Sequence, residues 1–230
     1  MRKIITACVI VFISMLQESE PVRAQPDRKA PETVTKSEQM NGEMSKPDPI
    51  NVETCEVPHT EAEDQELIET AISVCYPQMK NIPEKYFINT AKLLKVETEM
   101  RVPDSMRGMT LAAACVESGF NEKAEGDHRF SKDGKTPKAI GILQMWPCYE
   151  KAYGVNRKDV TSSAKGWLTH VMLQLPSVKK RCMPKDEMNT WRLAWVQGVR
   201  APKADGRCHE NVSHWYVFMK MKSKLTKDHT

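Results

Sequence analysis

The chain has 230 residues, 34 Lys and Arg against 30 Asp and Glu, a formal net charge of +4, and 40% hydrophobic residues. That length supports one domain with a real core plus tails. The positive surplus is small and scattered, which argues against a nucleic-acid partner and suits an anionic polymer.

Met1-Arg2-Lys3 leads into an apolar stretch from Ile4 to Leu16, and Val22-Arg23-Ala24 follows a polar gap. This layout predicts a secretory signal peptide over 1–24, with small residues at the cleavage positions. The stretch is too short to span a membrane comfortably, and no later segment is long and apolar enough. Ile5-Thr6-Ala7-Cys8 loosely mimics a lipoprotein box, but only two apolar residues precede it and the apolar run continues past Cys8. Residues 25–60 are rich in Pro, Glu, Lys and Ser and poor in aromatics, with seven acidic residues against four basic. They read as a flexible acidic tether. The folded domain is expected over 61–230, in an exported protein that is periplasmic or secreted.

Loss of Cys8 with the signal peptide leaves Cys55, Cys75, Cys115, Cys148, Cys182 and Cys208. An even set in an exported chain predicts disulfides, and the six allow about fifteen pairings. Cys115 is either a buried thiol or a tether for its helix. Cys208-His209 and His214 lie close together, but no second close pair completes a zinc spacing, so neither metal nor cofactor is expected.

From Glu61 the pattern is helical, with Ile68, Ala71, Ile72 and Cys75 on one face and a stop at Tyr76-Pro77. A second helix runs from Pro83 to about Met100. A third starts at Pro103-Asp104-Ser105. Residues 121–139 are polar, with Gly126 and an Asp133-Gly134 turn, and predict a short irregular hairpin. Gly141 to Met145 follows, then a short helix from Trp146-Pro147 to near Gly154. Longer helices are expected over Ser162–Lys180, disturbed at Pro176, over Asn189–Val199, and over Val212–Leu225. The class is mainly α with a small β element, and a monomer is expected.

The third helix carries the most informative residue. Met106, Met109, Ala113, Val116 and Phe120 follow the helical rhythm, and Glu117 ends the run. Thr110, Ala113 and Ala114 share its stripe, where short side chains admit a close neighbour. Burial and the negative end of the helix dipole would both favour the protonated carboxyl, as a general acid requires. Asp127, after Gly126 in a polar loop, is the best second carboxylate. It either faces Glu117 across a water-filled cleft or bonds its own turn.

The order Glu117-Ser118-Gly119-Phe120-Asn121, Ala124-x-Gly126-Asp127 and Ala139-Ile140-Gly141-Ile142-Leu143-Gln144-Met145 resembles the soluble-type lytic transglycosylases and the related goose-type lysozymes. The likeness covers roughly 103–200. It implies a lysozyme-like helical domain with a β-hairpin and a peptidoglycan glycan strand as substrate. Glu117 would be the lone catalytic carboxylate, cleaving between N-acetylmuramic acid and N-acetylglucosamine and leaving a 1,6-anhydro end. The family also implies substrate contacts for Ser118 and Gln144 and close backbone approach at Gly141, with Met145 lining the floor or filling core. The aliphatic-aliphatic-Gln segment reads as a strand. The family's Ala-x-x-Tyr-Asn-x-Gly stretch has its counterpart in Leu193-Ala194-Trp195-Val196-Gln197-Gly198. Val196 stands where a tyrosine that touches the acid is expected. Three outcomes are open: Gln197 substitutes for the missing hydroxyl, Tyr149, Tyr153 or Tyr216 fills in, or substrate choice has shifted; Gln197 is also expected to contact substrate. Trp146, Trp191, Trp195 and Trp215 are candidates to stack on sugar. Hydrolysis by water and wall binding without catalysis are the rival outcomes.

Overall fold

The structure is a computed structural model, and it describes residues 60–199, 208–209 and 212–228. The stretches read as signal peptide and, before Thr60, as tether, with Cys8 and Cys55, lie outside the described residues. Thr60 begins the fold. Its hydroxyl accepts from Glu63 N at 3.2 Å and Glu63 Oε2 accepts from Thr60 N at 2.8 Å. This reciprocal box satisfies two of the free N–H groups that open helix α1, Glu61–Cys75. Helix α2 follows over Glu84–Glu99, with Pro83 just before it.

The predicted third helix is divided. A single 3-10 turn spans Asp104–Met106, and helix α3 begins only at Met109 and ends at Ser118. The break is at Gly108, whose φ of +90° no helix accommodates. Beyond α3, Glu125–Gly126 (β1) pairs antiparallel with Ala139–Ile140 (β2). The hairpin between them is irregular, as its polar composition predicts. Asp133 gathers bonds from Lys135 N, Thr136 N, Thr136 Oγ1 and Ser131 Oγ, which fixes the turn.

The Gly141–Gln144 segment is a tight turn, not the expected strand. Ile140 and Met145 exchange backbone hydrogen bonds of 3.2 and 3.1 Å across it. Two left-handed residues, Gly141 and Gln144, reverse the chain. Helix α4 is Pro147–Tyr153. The single helix expected over Ser162–Lys180 is two, α5 (Val160–Met172) and α6 (Leu175–Cys182). Pro176 lies in the first turn of α6, where its missing N–H costs nothing, so it starts a helix instead of disturbing one. Helices α7 (Glu187–Val199) and α8 (Ser213–Asp228) complete the described chain.

Helix α3 lies at the centre, packed on α8, α1 and α2. Met109 through Ala114 are all buried, so this part of α3 is covered around its whole circumference. Its alanines let three neighbours close in on it. Two disulfides join described cysteines, Cys75–Cys115 and Cys182–Cys208, with Cα separations of 5.7 and 5.9 Å. Cys148 is also disulfide-bonded. Cys115 is therefore a tether. Among the described residues, no helix is long and apolar enough to cross a membrane.

Candidate active site

Helix α3 is anchored at both ends. At its start, the fully buried Glu97 accepts from Gly108 N at 2.6 Å, Thr110 N at 2.7 Å and Thr110 Oγ1 at 2.6 Å. An acid here meets the positive end of the helix dipole. Burial pushes the Glu97 carboxyl up, against these three donors and the nearby Arg107. At its end, Gly119 takes the left-handed conformation and its carbonyl accepts from Tyr76 Oη at 2.5 Å. Asn89 Nδ2 then donates to Phe120 O at 3.0 Å and to Glu122 Oε2 at 2.8 Å. The Cys75–Cys115 bridge adds a covalent hold two residues before Glu117.

Glu117 emerges from this fixed helix. Its side chain is 32% exposed, and its Oε1 is 2.7 Å from His214 Nε2 of α8. Its Oε2 hydrogen-bonds to no described residue. The expected dry setting is thus corrected: the last turn of α3 carries the carboxylate past the buried alanines to an open edge. Val116, expected on the apolar stripe, is 40% exposed there too.

His214 is the opposite case, with a side chain 3% exposed. Its ring stacks on Trp195 at 5.8 Å and 14°. The edges of Trp167, Trp215 and Phe218 hold Trp195 in turn. The buried His214 Nδ1 has no hydrogen-bond partner among the described residues. Nε2 faces a carboxylate oxygen, which when ionised can only accept. The geometry therefore puts the proton on Nε2, donating to Glu117 Oε1. A hydrogen bond to a charged acceptor of this kind contributes about 1.5–3 kcal/mol.

Tyr149 on α4 lies near enough to Glu117 to feel its charge. Burial first, then the Tyr153 phenol and the Glu117 carboxylate, push its hydroxyl up to about 12. Its ring is set edge-on to His170 at 5.1 Å. His170 Nε2 donates to Gly198 O at 2.9 Å, so its Nδ1 accepts the 2.7 Å bond from Tyr153 Oη. Burial holds His170 below the ordinary histidine value. Tyr149 is therefore braced by a neutral, fully used imidazole.

The residues singled out from sequence do not share one setting. Ser118 Oγ donates to Ile142 O at 2.7 Å and lies 3.2 Å from Ala114 O, joining α3 to the Gly141–Gln144 turn. Gly141 has φ +81°, and a Cβ there would sit 2.0 Å from Arg157 O. The close backbone approach that its missing side chain permits is to Arg157. Gln144 Nε2 donates to Ala124 O at 3.0 Å and Gly141 O at 2.9 Å, and Met145 is buried in the core. Asp127 Oδ2 accepts from Trp146 Nε1 at 2.9 Å. Gln197 is buried, with Nε2 donating to His209 O at 3.0 Å. Val196, Trp191 and Trp195 are buried, and Tyr216 is exposed. Trp146 and Trp215 keep partial exposure.

His214 was not singled out from sequence as a partner of Glu117. Its signal was present: His214, Phe218 and Met221 recur at helical spacing on the buried face of an otherwise basic helix. Among the described residues, no cluster of His, Cys, Asp or Glu forms a set that would hold a metal. Surface depressions of about 350 and 370 Å³ lie elsewhere, one walled by Asp64 and Leu94, the other by Tyr76 and Phe87, and neither includes Glu117. No family model, curated protein or solved structure matches the chain.

Proposed function

We propose that this protein is an exported lytic transglycosylase of lysozyme-like fold. It cleaves the β-1,4 bond between N-acetylmuramic acid and N-acetylglucosamine in peptidoglycan. The observation that carries this reading is the state of Glu117: one oxygen fixed by His214, the other without a partner among the described residues, at an open edge of a firmly anchored helix. An acid held this way presents one defined proton site to a polymer that must lie across the surface.

Glu117 Oε2–H protonates the bridging oxygen, and the bond from that oxygen to the anomeric carbon breaks. The N-acetylglucosamine side leaves as an alcohol. The muramoyl N-acetyl group supports the electron-poor anomeric carbon. The C6 hydroxyl then attacks that carbon and gives its proton to Glu117 Oε2. The product is a 1,6-anhydro ring, the acid is restored, and no water is consumed. No second carboxylate is needed, unlike the usual glycosidase scheme. The engagement of Asp127 with Trp146 fits that economy.

Mass analysis of products from purified wall strands tests the reading. Anhydro ends that vanish with Glu117→Gln support it. Reducing ends, heavier by one water, would point to lysozyme-type hydrolysis. Wall binding without cleavage would leave a binding protein.

A further inference from the structure

We propose that His214 is a positioning residue that holds Glu117 in its working rotamer and absorbs the change of charge on it during cleavage. This rests on the glycan-cleaving reading above. It deepens that reading by naming what occupies the role of the tyrosine that is absent at Val196.

Val196 is fully buried and has no donor to offer. The donor comes from a different helix, at 2.7 Å, on an imidazole clamped face-on to Trp195. Because Nδ1 is buried and unpartnered, the ring acts through Nε2 alone. Glu117 Oε1 accepts from Nε2–H whether the carboxyl is protonated on Oε2 or not. The bond tightens when Oε2 gives its proton to the leaving oxygen, because the acceptor then carries charge. It relaxes when Oε2 recovers a proton from the C6 hydroxyl. The interaction is thus strongest when the carboxylate forms, which favours proton delivery over mere substrate binding. His214 itself neither gains nor loses a proton in the cycle.

The groups around the pair are Tyr149 and Tyr153 from α4, with His170 of α5 behind them, and Arg192 of α7, which lies 5.7 Å from the Trp215 ring centroid beside His214. None of these is altered in the test. The purified chain is compared with His214→Phe and His214→Gln for fragment release from wall strands. Gln carries an amide N–H where Nε2–H stands, and Phe keeps the stacking on Trp195 without a donor.

The expected result is a kcat about 10- to 100-fold lower for His214→Phe with little change in KM, and most of the loss recovered in His214→Gln. Nitrogen-15 NMR of the wild type should show the Nε2–H tautomer, with its resonance displaced by Glu117→Gln. That arm needs no His214 variant to fold. A folded Phe variant with unaltered kcat, equal losses in Phe and Gln, or an Nδ1–H tautomer would each overturn the proposal. A wild type that releases no fragments removes the glycan-cleaving reading itself, whereas an active wild type indifferent to His214 removes the role of His214 alone.

Discussion

Ser118 Oγ reaches Ile142 O at 2.7 Å, so the residue after the acid is bonded to the middle of the glycine-glutamine turn. Two segments that sequence alone can only place in order are thereby fixed in space. Ile142 is fully buried, so its carbonyl would lose its side-chain partner in Ser118→Ala. Such a loss costs about 1–3 kcal/mol. Urea unfolding should show that drop, and an unchanged midpoint would mean the bond contributes nothing.

Gly141→Ala should be worse. A left-handed φ costs a residue with a side chain on the order of 1–3 kcal/mol. The new Cβ would also meet the Arg157 carbonyl at 2.0 Å, and backbone cannot move aside cheaply. Expect a clear fall in Tm by calorimetry, with Gly134→Ala, where a Cβ meets nothing within 4 Å, as the milder left-handed control.

Cys75→Ser with Cys115→Ser removes a crosslink spanning 40 residues. Loop-closure entropy for that span gives about 4 kcal/mol of lost stability. Because Cys115 lies two residues before Glu117, fragment release should fall before the fold melts on titration with a reductant. Identical midpoints for activity and unfolding would refute a local effect on the acid.

Glu97 sets a pH dependence. Burial raises its native carboxyl above the ordinary 4.5. A group raised in the native state contributes stability that is fully present below its unfolded value and lost as pH rises through its native value. The stability of the wild type relative to Glu97→Gln should therefore decline from about pH 4.5 upward. A rising difference would show that the Gly108 and Thr110 donors outweigh burial.

Much of the helical order is legible in the sequence because its cues are local. The start at Glu61, the stop at Tyr76-Pro77, and Trp146-Pro147 with Gly154 mark ends that the structure places where they read. The misread boundaries have equally local causes. Gly108 reads as an ordinary helix residue until its φ is known, and Pro176 reads as a disturbance although it opens a helix. The apolar run before Glu117 correctly marks a central helix. It cannot report that the final turn reaches an edge, because burial there depends on which neighbours stop short. The partnership with His214 is non-local, and no spacing rule links two residues 97 positions apart.

That separation carries its own consequence. During synthesis the acid leaves the ribosome almost a hundred residues ahead of its imidazole. A nascent chain that has not yet reached α8, and any fragment clipped ahead of it, bears Glu117 without the group that steadies it. Emergence of α8 is thus the step at which this pair first exists.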